Sequence, residues 1–126
     1  MKKNINNAIA TLKNKQSYAA YTAALTACAS SASKLLTYVE SRNAIEDGDV
    51  SGYYGCSAEA AFFKTNIDFV NERVEKAYRI FFHKLVKFSS VHTACMGEHI
   101  IGYITPDNKE DLYHYAHSLC DFDAVE

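Results

Sequence analysis

The sequence predicts an all-α fold, and three observations lead to this expectation. Proline occurs once and glycine five times among 126 residues, whereas a β domain would need a turn roughly every 8–12 residues. Apolar residues make up 48% of the chain, which is ordinary globular composition. Two long stretches repeat their apolar residues at steps of three and four, the spacing of a helix face. We therefore expect one helical domain over 1–126, built on an antiparallel hairpin of two long helices at about 17–45 and 58–89, with a short N-terminal helix and a C-terminal helix.

The chain begins with a short amphipathic segment. Ile5, Ile9 and Leu12 are spaced by four and then three residues, which predicts a helix over roughly 4–14. Continuing the same phase would place polar residues on the apolar face, so we expect this helix to end there. Ser17 is of a type that caps a helix, and it marks the next start.

The second helix carries the clearest pattern. Its apolar residues follow strict 3-4 steps: Tyr18, Tyr21, Leu25, Cys28, Ala32, Leu35 and Val39. No residue between Gln16 and Ser33 is charged, and small residues occupy the positions outside this seam. A helix without a charged face is normally covered on more than one side. We expect it to lie at the centre of the bundle or to be buried in a homo-oligomer.

A second seam of similar length follows after a connection rich in acids and glycine. Its members are Phe63, Ile67, Val70, Val74, Ala77, Phe81 and Phe88, with Lys84 at the position that the last step skips. Two matching seams, on helices joined by a connection of about a dozen residues, are typical of two antiparallel helices that pack on each other.

The last third of the chain is less regular. Residues 91–99 either continue the third helix or bend at Gly97, and 99–104 read as a short strand or an extended packing segment. The run Thr105-Pro106-Asp107 then predicts the start of a final helix, because acids in a first turn suit the helix dipole.

Charge is distributed unevenly along a chain whose formal net charge is −2. Residues 1–39 hold five lysines and no acid, a local charge of +5, whereas residues 107–126 hold six acids and one lysine, a local charge of −5. The two ends are expected to attract each other in the fold or in a dimer. A basic surface for nucleic acid is the alternative interpretation.

Four cysteines occur without any paired spacing, so we expect reduced thiols in a cytoplasmic protein. No window approaches the roughly 20 apolar residues of a membrane span. The run 25–28 resembles a lipoprotein cleavage box behind Lys2 and Lys3, but polar residues interrupt the stretch before it, so we favour a continuous helix.

The third helix also carries a basic face with interleaved apolar residues. Projected at 100° per residue, its cations fall within one broad arc. The candidate binding residues are Arg73, Lys76, Arg79, Lys84, Lys87, Phe62, Phe69 and Ile80. A solvated face would not need the apolar members, so we expect this face to bind a protein with an acidic surface. Binding of nucleic acid is an alternative.

All five histidines lie between positions 83 and 117. His92 and Cys95, together with His114 and His117, form two pairs with helical spacing. If the pairs face each other, they make a four-ligand nitrogen and sulfur set of the kind that zinc prefers. A structural role for these side chains is the competing interpretation, because the set lacks the paired cysteines of zinc motifs.

Catalysis has weaker support in the sequence. No nucleophile elbow or phosphate-binding loop occurs. Arg79 and His83 lie one helical turn apart, but with fewer intervening residues than the arginine-histidine pattern of HEPN ribonucleases. We assign no catalytic residue. The function we expect is that of a non-enzymatic adaptor or inhibitor, with a metal-dependent or ribonuclease-like helical enzyme as the alternative from another class.

Overall fold

The computed structural model describes residues 1–46 and 67–120, and within these ranges the chain forms four α-helices and no strand. The helices are α1 (Lys2–Leu12), α2 (Tyr18–Glu46), α3 (Ile67–Met96) and α4 (Lys109–Leu119). The predicted all-α class is confirmed. The part of the third helix expected at 58–66 lies outside the described residues, and so do Phe62 and Phe63.

The two long helices form the predicted antiparallel hairpin. The Tyr21 ring, near the start of α2, lies 5.3 Å from the Phe88 ring, near the end of α3. At the opposite end of the pair, Tyr38 of α2 and Arg73 of α3 line the same groove. α2 packs most extensively on α3 and also contacts α4 and α1. α2, whose first half is uncharged, is therefore central in the bundle, which is one of the two arrangements that this composition predicted.

Over the residues whose burial the structure describes, both predicted seams are buried between the helices. In α2, every seam residue from Tyr21 to Val39 is buried, and Tyr18 is half-buried. In α3, the seam differs from the prediction at one position, because Leu85 is fully buried while Lys84 is exposed. A straight helix drifts by about 20° per heptad relative to a strict 3.5-residue repeat. By the end of α3, this drift has moved the core-facing position one residue along.

The third helix ends later than predicted, just before a glycine. It continues past position 89 to Met96, and Gly97 follows with a φ of +72°. This left-handed conformation suits glycine, which has no Cβ to clash with its own backbone. The Gly97 amide donates to the Thr93 carbonyl oxygen over 2.8 Å.

The segment from 97 to 108 is irregular and bends at residues 100 and 101, so residues 99–104 do not form a strand. Ile100, Ile101 and Ile104 are half-buried against the core. The final helix starts at Lys109, slightly later than predicted, because the Asn108 side chain caps it by accepting from the Asp111 amide over 3.1 Å.

None of the helices within the described ranges combines the length and the apolar character that crossing a membrane requires.

The shift of the α3 seam can be tested by truncating the two neighbouring side chains. Leu85→Ala should lower the free energy of unfolding by about 2–5 kcal/mol, since it leaves a cavity in a packed core. Lys84→Ala should change it by less than about 0.5 kcal/mol, because Lys84 is exposed. Urea denaturation of both variants gives the comparison, and equal effects would contradict the assigned seam.

Burial also makes a prediction for cysteine chemistry. Cys28 is fully buried, and desolvation raises the pKa of its thiol to about 12. Because the thiolate is the reactive form, Cys28 should stay protonated at pH 8 and resist iodoacetamide in the folded protein. Cys95 and Cys120 are partly exposed and should be alkylated first. Peptide mass spectrometry after timed labelling distinguishes the sites, and early modification of Cys28 would contradict the packing.

Candidate functional site

A groove of about 330 Å³ runs between α2 and α3. Among the described residues, four cationic side chains and no acid line it. Small residues, one tyrosine and one isoleucine complete this lining. From α2 come Ala27, Ser30, Ser31, Lys34 and Tyr38, and from α3 come Arg73, Lys76, Ala77, Ile80 and Lys84.

The groove continues along the same pair of helices toward the start of α2. Ala27 and Lys84 also line a second concavity of about 290 Å³, which reaches Lys87 and Val91 of α3. Three further alanines of α2 line this part: Ala20, Ala23 and Ala24. Because the two concavities share lining residues, we treat them as one feature and name it the α2/α3 groove.

The position of the groove follows from the phase of the two helices. On α3, the lining residues lie directly beside the buried seam, since Ile80 and Lys84 flank the buried Phe81. On α2, Ala27 and Ser31 flank the buried Cys28 in the same way. Small side chains on α2 leave the space open, and long cationic side chains on α3 border it.

Most of the predicted basic face belongs to this groove. Arg73, Lys76, Lys84 and Ile80 line its first part, and Lys87 lines its continuation. Ile80 is 43% exposed, which is unusual for a large apolar side chain in this fold.

Two members of the prediction, Arg79 and Phe69, have other positions. Arg79 is exposed but does not line the groove, because at 100° per residue it projects away from the lining side of α3. Phe69 is half-buried against the core, and the Arg73 guanidinium lies over its ring at 4.7 Å from the centroid. This cation–π contact holds Arg73 at the groove mouth. Phe62 lies outside the described residues.

Among the described residues, no ion pair joins a groove cation to a carboxylate. Within these ranges Lys109 pairs with Glu75, which ties α4 to α3, and His92 lies beside Glu98. None of the groove lysines takes part in them. The groove therefore has a local positive potential on a protein whose net charge is slightly negative.

His92, the first predicted metal ligand, instead completes the core. It continues the α3 seam one turn beyond Phe88 and is fully buried. The Tyr21 hydroxyl lies 2.7 Å from its Nδ1, and its Nε2 lies 3.3 Å from Glu98 Oε1. Burial raises the pKa of Tyr21 far above its ordinary value, with smaller contributions from Cys95 and Glu98, so the phenol stays protonated.

Both hydrogen bonds are satisfied together by one tautomer. Tyr21 donates to Nδ1, and Nε2 carries the hydrogen that is donated to Glu98. In this arrangement neither ring nitrogen of His92 presents a lone pair to a metal ion.

Of the other predicted zinc ligands, Cys95 lies close to this network, whereas His114 and His117 lie on another helix. Cys95 is half-buried on α3, while His114 and His117 are exposed on α4, where the His117 ring packs edge-on against Tyr113 at 4.6 Å. Across the described part of the chain, no three histidine, cysteine, aspartate or glutamate side chains are grouped as metal ligands would be. Zinc binding stays a prediction of the sequence.

The two residues considered for a ribonuclease, Arg79 and His83, lie on the surface of α3. Arg79 and His83 are both exposed, and the His83 ring contacts Phe82 at 5.5 Å. That activity stays a prediction as well.

Sequence reasoning missed the contribution of α2 to the site. Lys34 and Tyr38 were not among the predicted binding residues, although both line the groove. A signal was present, because the small residues outside the α2 seam indicated close approach of another backbone. Combining that observation with the antiparallel order of the seams would have paired this flank of α2 with the basic face of α3.

Comparison of the chain with protein-family models, curated proteins and solved structures gives no match.

Removing the Tyr21 hydroxyl tests the buried hydrogen bond between Tyr21 and His92. Tyr21→Phe keeps the ring but removes the donor to His92, and an unsatisfied buried group costs about 1–3 kcal/mol of stability. Tyr103→Phe is the matched control, since Tyr103 is 94% exposed and should change stability by less than about 0.5 kcal/mol. Guanidinium unfolding curves measure both, and a Tyr21→Phe variant as stable as the parent would contradict the hydrogen bond.

Proposed function

We propose that this protein is a non-enzymatic interaction module that binds an acidic protein partner in the α2/α3 groove. The observation that carries the proposal is the lining of the groove, where the part of the chain that the structure describes supplies Lys34, Arg73, Lys76 and Lys84 but no acid. An adaptor or an inhibitor of a larger assembly would use such a surface, since it needs recognition without chemistry.

Electrostatic complementarity would supply recognition and a fast encounter. Cations within one groove reinforce one another's potential, and this potential steers an oppositely charged partner toward the site. Lysines at a rim keep their ammonium groups in water, while their aliphatic stems cover apolar surface. The attraction should be screened by salt, because the Debye length is only about 8 Å at physiological ionic strength.

The floor of the groove favours a protein over a nucleic acid. Proteins that bind single strands stack bases on aromatic side chains, whereas Tyr38 is the one aromatic among the lining residues that the structure describes. Apart from the cations and Tyr38, the lining residues are aliphatic or hydroxylic, and they include the exposed Ile80. An apolar floor bordered by charge is the usual anatomy of a protein interface.

A cytoplasmic location, where thiols stay reduced, and self-association are also part of this proposal. They rest on the unpaired cysteine spacing and on the long uncharged stretch of α2. Analytical ultracentrifugation of the purified protein measures the oligomeric state directly.

Reversing charge in the groove should abolish binding of an acidic protein segment. The probe is a fluorescent 18-residue peptide of leucine, alanine and glutamate, and its glutamine counterpart is the ligand control. Lys76→Glu with Lys84→Glu should weaken binding by at least about tenfold, equivalent to about 1.4 kcal/mol. Lys13→Glu with Lys15→Glu makes the same charge change at exposed positions away from the groove and should have little effect.

Fluorescence anisotropy at low and high salt gives the affinities. Equal loss in both double variants would show that net charge alone governs binding. Tighter binding of a 20-nucleotide RNA than of the acidic peptide, lost in the Lys76/Lys84 variant, would favour the nucleic-acid alternative and contradict the proposal.

A further inference from the structure

We infer that the α2/α3 groove accepts an amphipathic α-helix, which packs along it as a third helix. This inference rests on the proposed function and specifies the shape of the acidic partner. It follows from the spacing of the residues that border the groove, from their size and from the distribution of charge along it.

The border contributed by α3 has the period of a helix–helix seam. From Arg73 onward, residues on this side recur at steps of 3-4-4-3-4. They are Arg73, Lys76, Ile80, Lys84, Lys87 and Val91. Residues at these steps form one straight stripe along a helix, and this stripe lies beside the seam that already packs on α2.

The border contributed by α2 has the same period and smaller side chains. At steps of 4-3-4-3-4 it presents Ala20, Ala24, Ala27, Ser31, Lys34 and Tyr38. Alanine and serine at such positions leave holes that large side chains of another helix can fill. They also allow the backbone of that helix to come close.

The dimensions match a helix of moderate length. The stripe from Ala20 to Tyr38 covers 18 steps along α2, which is about 27 Å at 1.5 Å per residue. A bound helix of about 18 residues would therefore contact the groove over its whole length. An extended peptide would span the same distance with far fewer residues and would meet the heptad-spaced positions out of phase.

Charge along the groove defines the chemistry of the partner. The end of the groove near Tyr38 holds Lys34, Arg73 and Lys76. Lys84 borders both parts of the groove, and Lys87 borders the part toward the start of α2. A partner helix would place large apolar side chains on the floor around Ile80 and carboxylates on both flanks of that apolar stripe. The cations and carboxylates then pair at the rim, where they set register and orientation.

The test compares two peptides that share one composition of leucine, glutamate and alanine with a third that differs from the first by one proline. The first places leucine at the first and fourth positions of each heptad, with glutamate on the flanks. The second distributes the leucines evenly around the helix, and the third is the first with a central proline that breaks the helix. We expect the first to bind the full-length protein at least about tenfold more tightly than either of the others.

The floor of the groove is tested by substitutions that keep the charge. Ala27→Gln places a larger polar group in the floor, and Ala23→Gln does the same at an exposed position that folding tolerates. Each should weaken binding of the first peptide by at least about tenfold, because its apolar face would meet an unpaired amide. Ala10→Gln, at an exposed position of α1, is the matched control and should leave binding unchanged.

The outcomes separate this inference from the proposed function. If all three peptides bind equally and only Lys76→Glu with Lys84→Glu weakens them, the partner lies on the rim in no fixed conformation, and the helix inference fails while the proposed function stands. If no acidic peptide binds at low salt, both fail. A homodimer that Ala23→Gln and Ala27→Gln dissociate, without peptide binding, would assign the groove to a second copy and overturn the inference.

Discussion

The antiparallel contact between the α2 and α3 seams is the constraint on which the rest of the structure depends. Apolar burial along these seams supplies most of the core, and α1 and α4 complete it. The contact also has a fixed register, because Tyr21 meets Phe88 and His92 at one level of the hairpin. A hydrogen bond inside an apolar seam has few alternative partners, so a slip by one turn would leave Tyr21 or His92 unsatisfied.

The groove is a geometric consequence of that register. Once the seams are closed, the residues next to them on one side must face each other across a narrow space. On α2 most of these residues are small, apart from Lys34 and Tyr38, and on α3 most of them are long and basic, so the space stays open and becomes positive. The positions that make the site are thus set by the same periodicity that makes the core, one helical step away from it.

Much of the fold was predictable from the sequence, because heptad periodicity reports helices and their buried sides directly. The exchange of Leu85 for Lys84 in the seam was not predicted, since a strict heptad template ignores the angular drift of a straight helix. The end of α3 was predicted only loosely: the helix was expected to reach about residue 89, with 91–99 either continuing it or bending at Gly97, and it ends at Met96 before the positive φ of Gly97.

The candidate site was only half predictable. The α3 residues were predictable because cations and Ile80 share one face of the helix outside the seam. Lys34 and Tyr38 of α2 carried no such signal on their own. For His92, the sequence suggested a role but not the side chains that it contacts. A histidine spaced from a cysteine by one turn has the pattern of a metal ligand, yet its two ring nitrogens are engaged by Tyr21 and Glu98. Pairwise spacing does not reveal a hydrogen-bond partner 71 residues away.

The alanine-lined floor divides the groove into a stiff part and a compliant part. Alanine has no side-chain rotamers to lose, whereas each ordered lysine gives up as much as about 1.5–2 kcal/mol of rotamer entropy. The shape that a ligand meets is consequently dictated by the backbones of α2 and α3 and exists before any encounter. The lysines, by contrast, adjust to wherever the opposite charges fall. Such a surface would be strict about the steric profile of what it accepts and tolerant of the exact placement of its carboxylates.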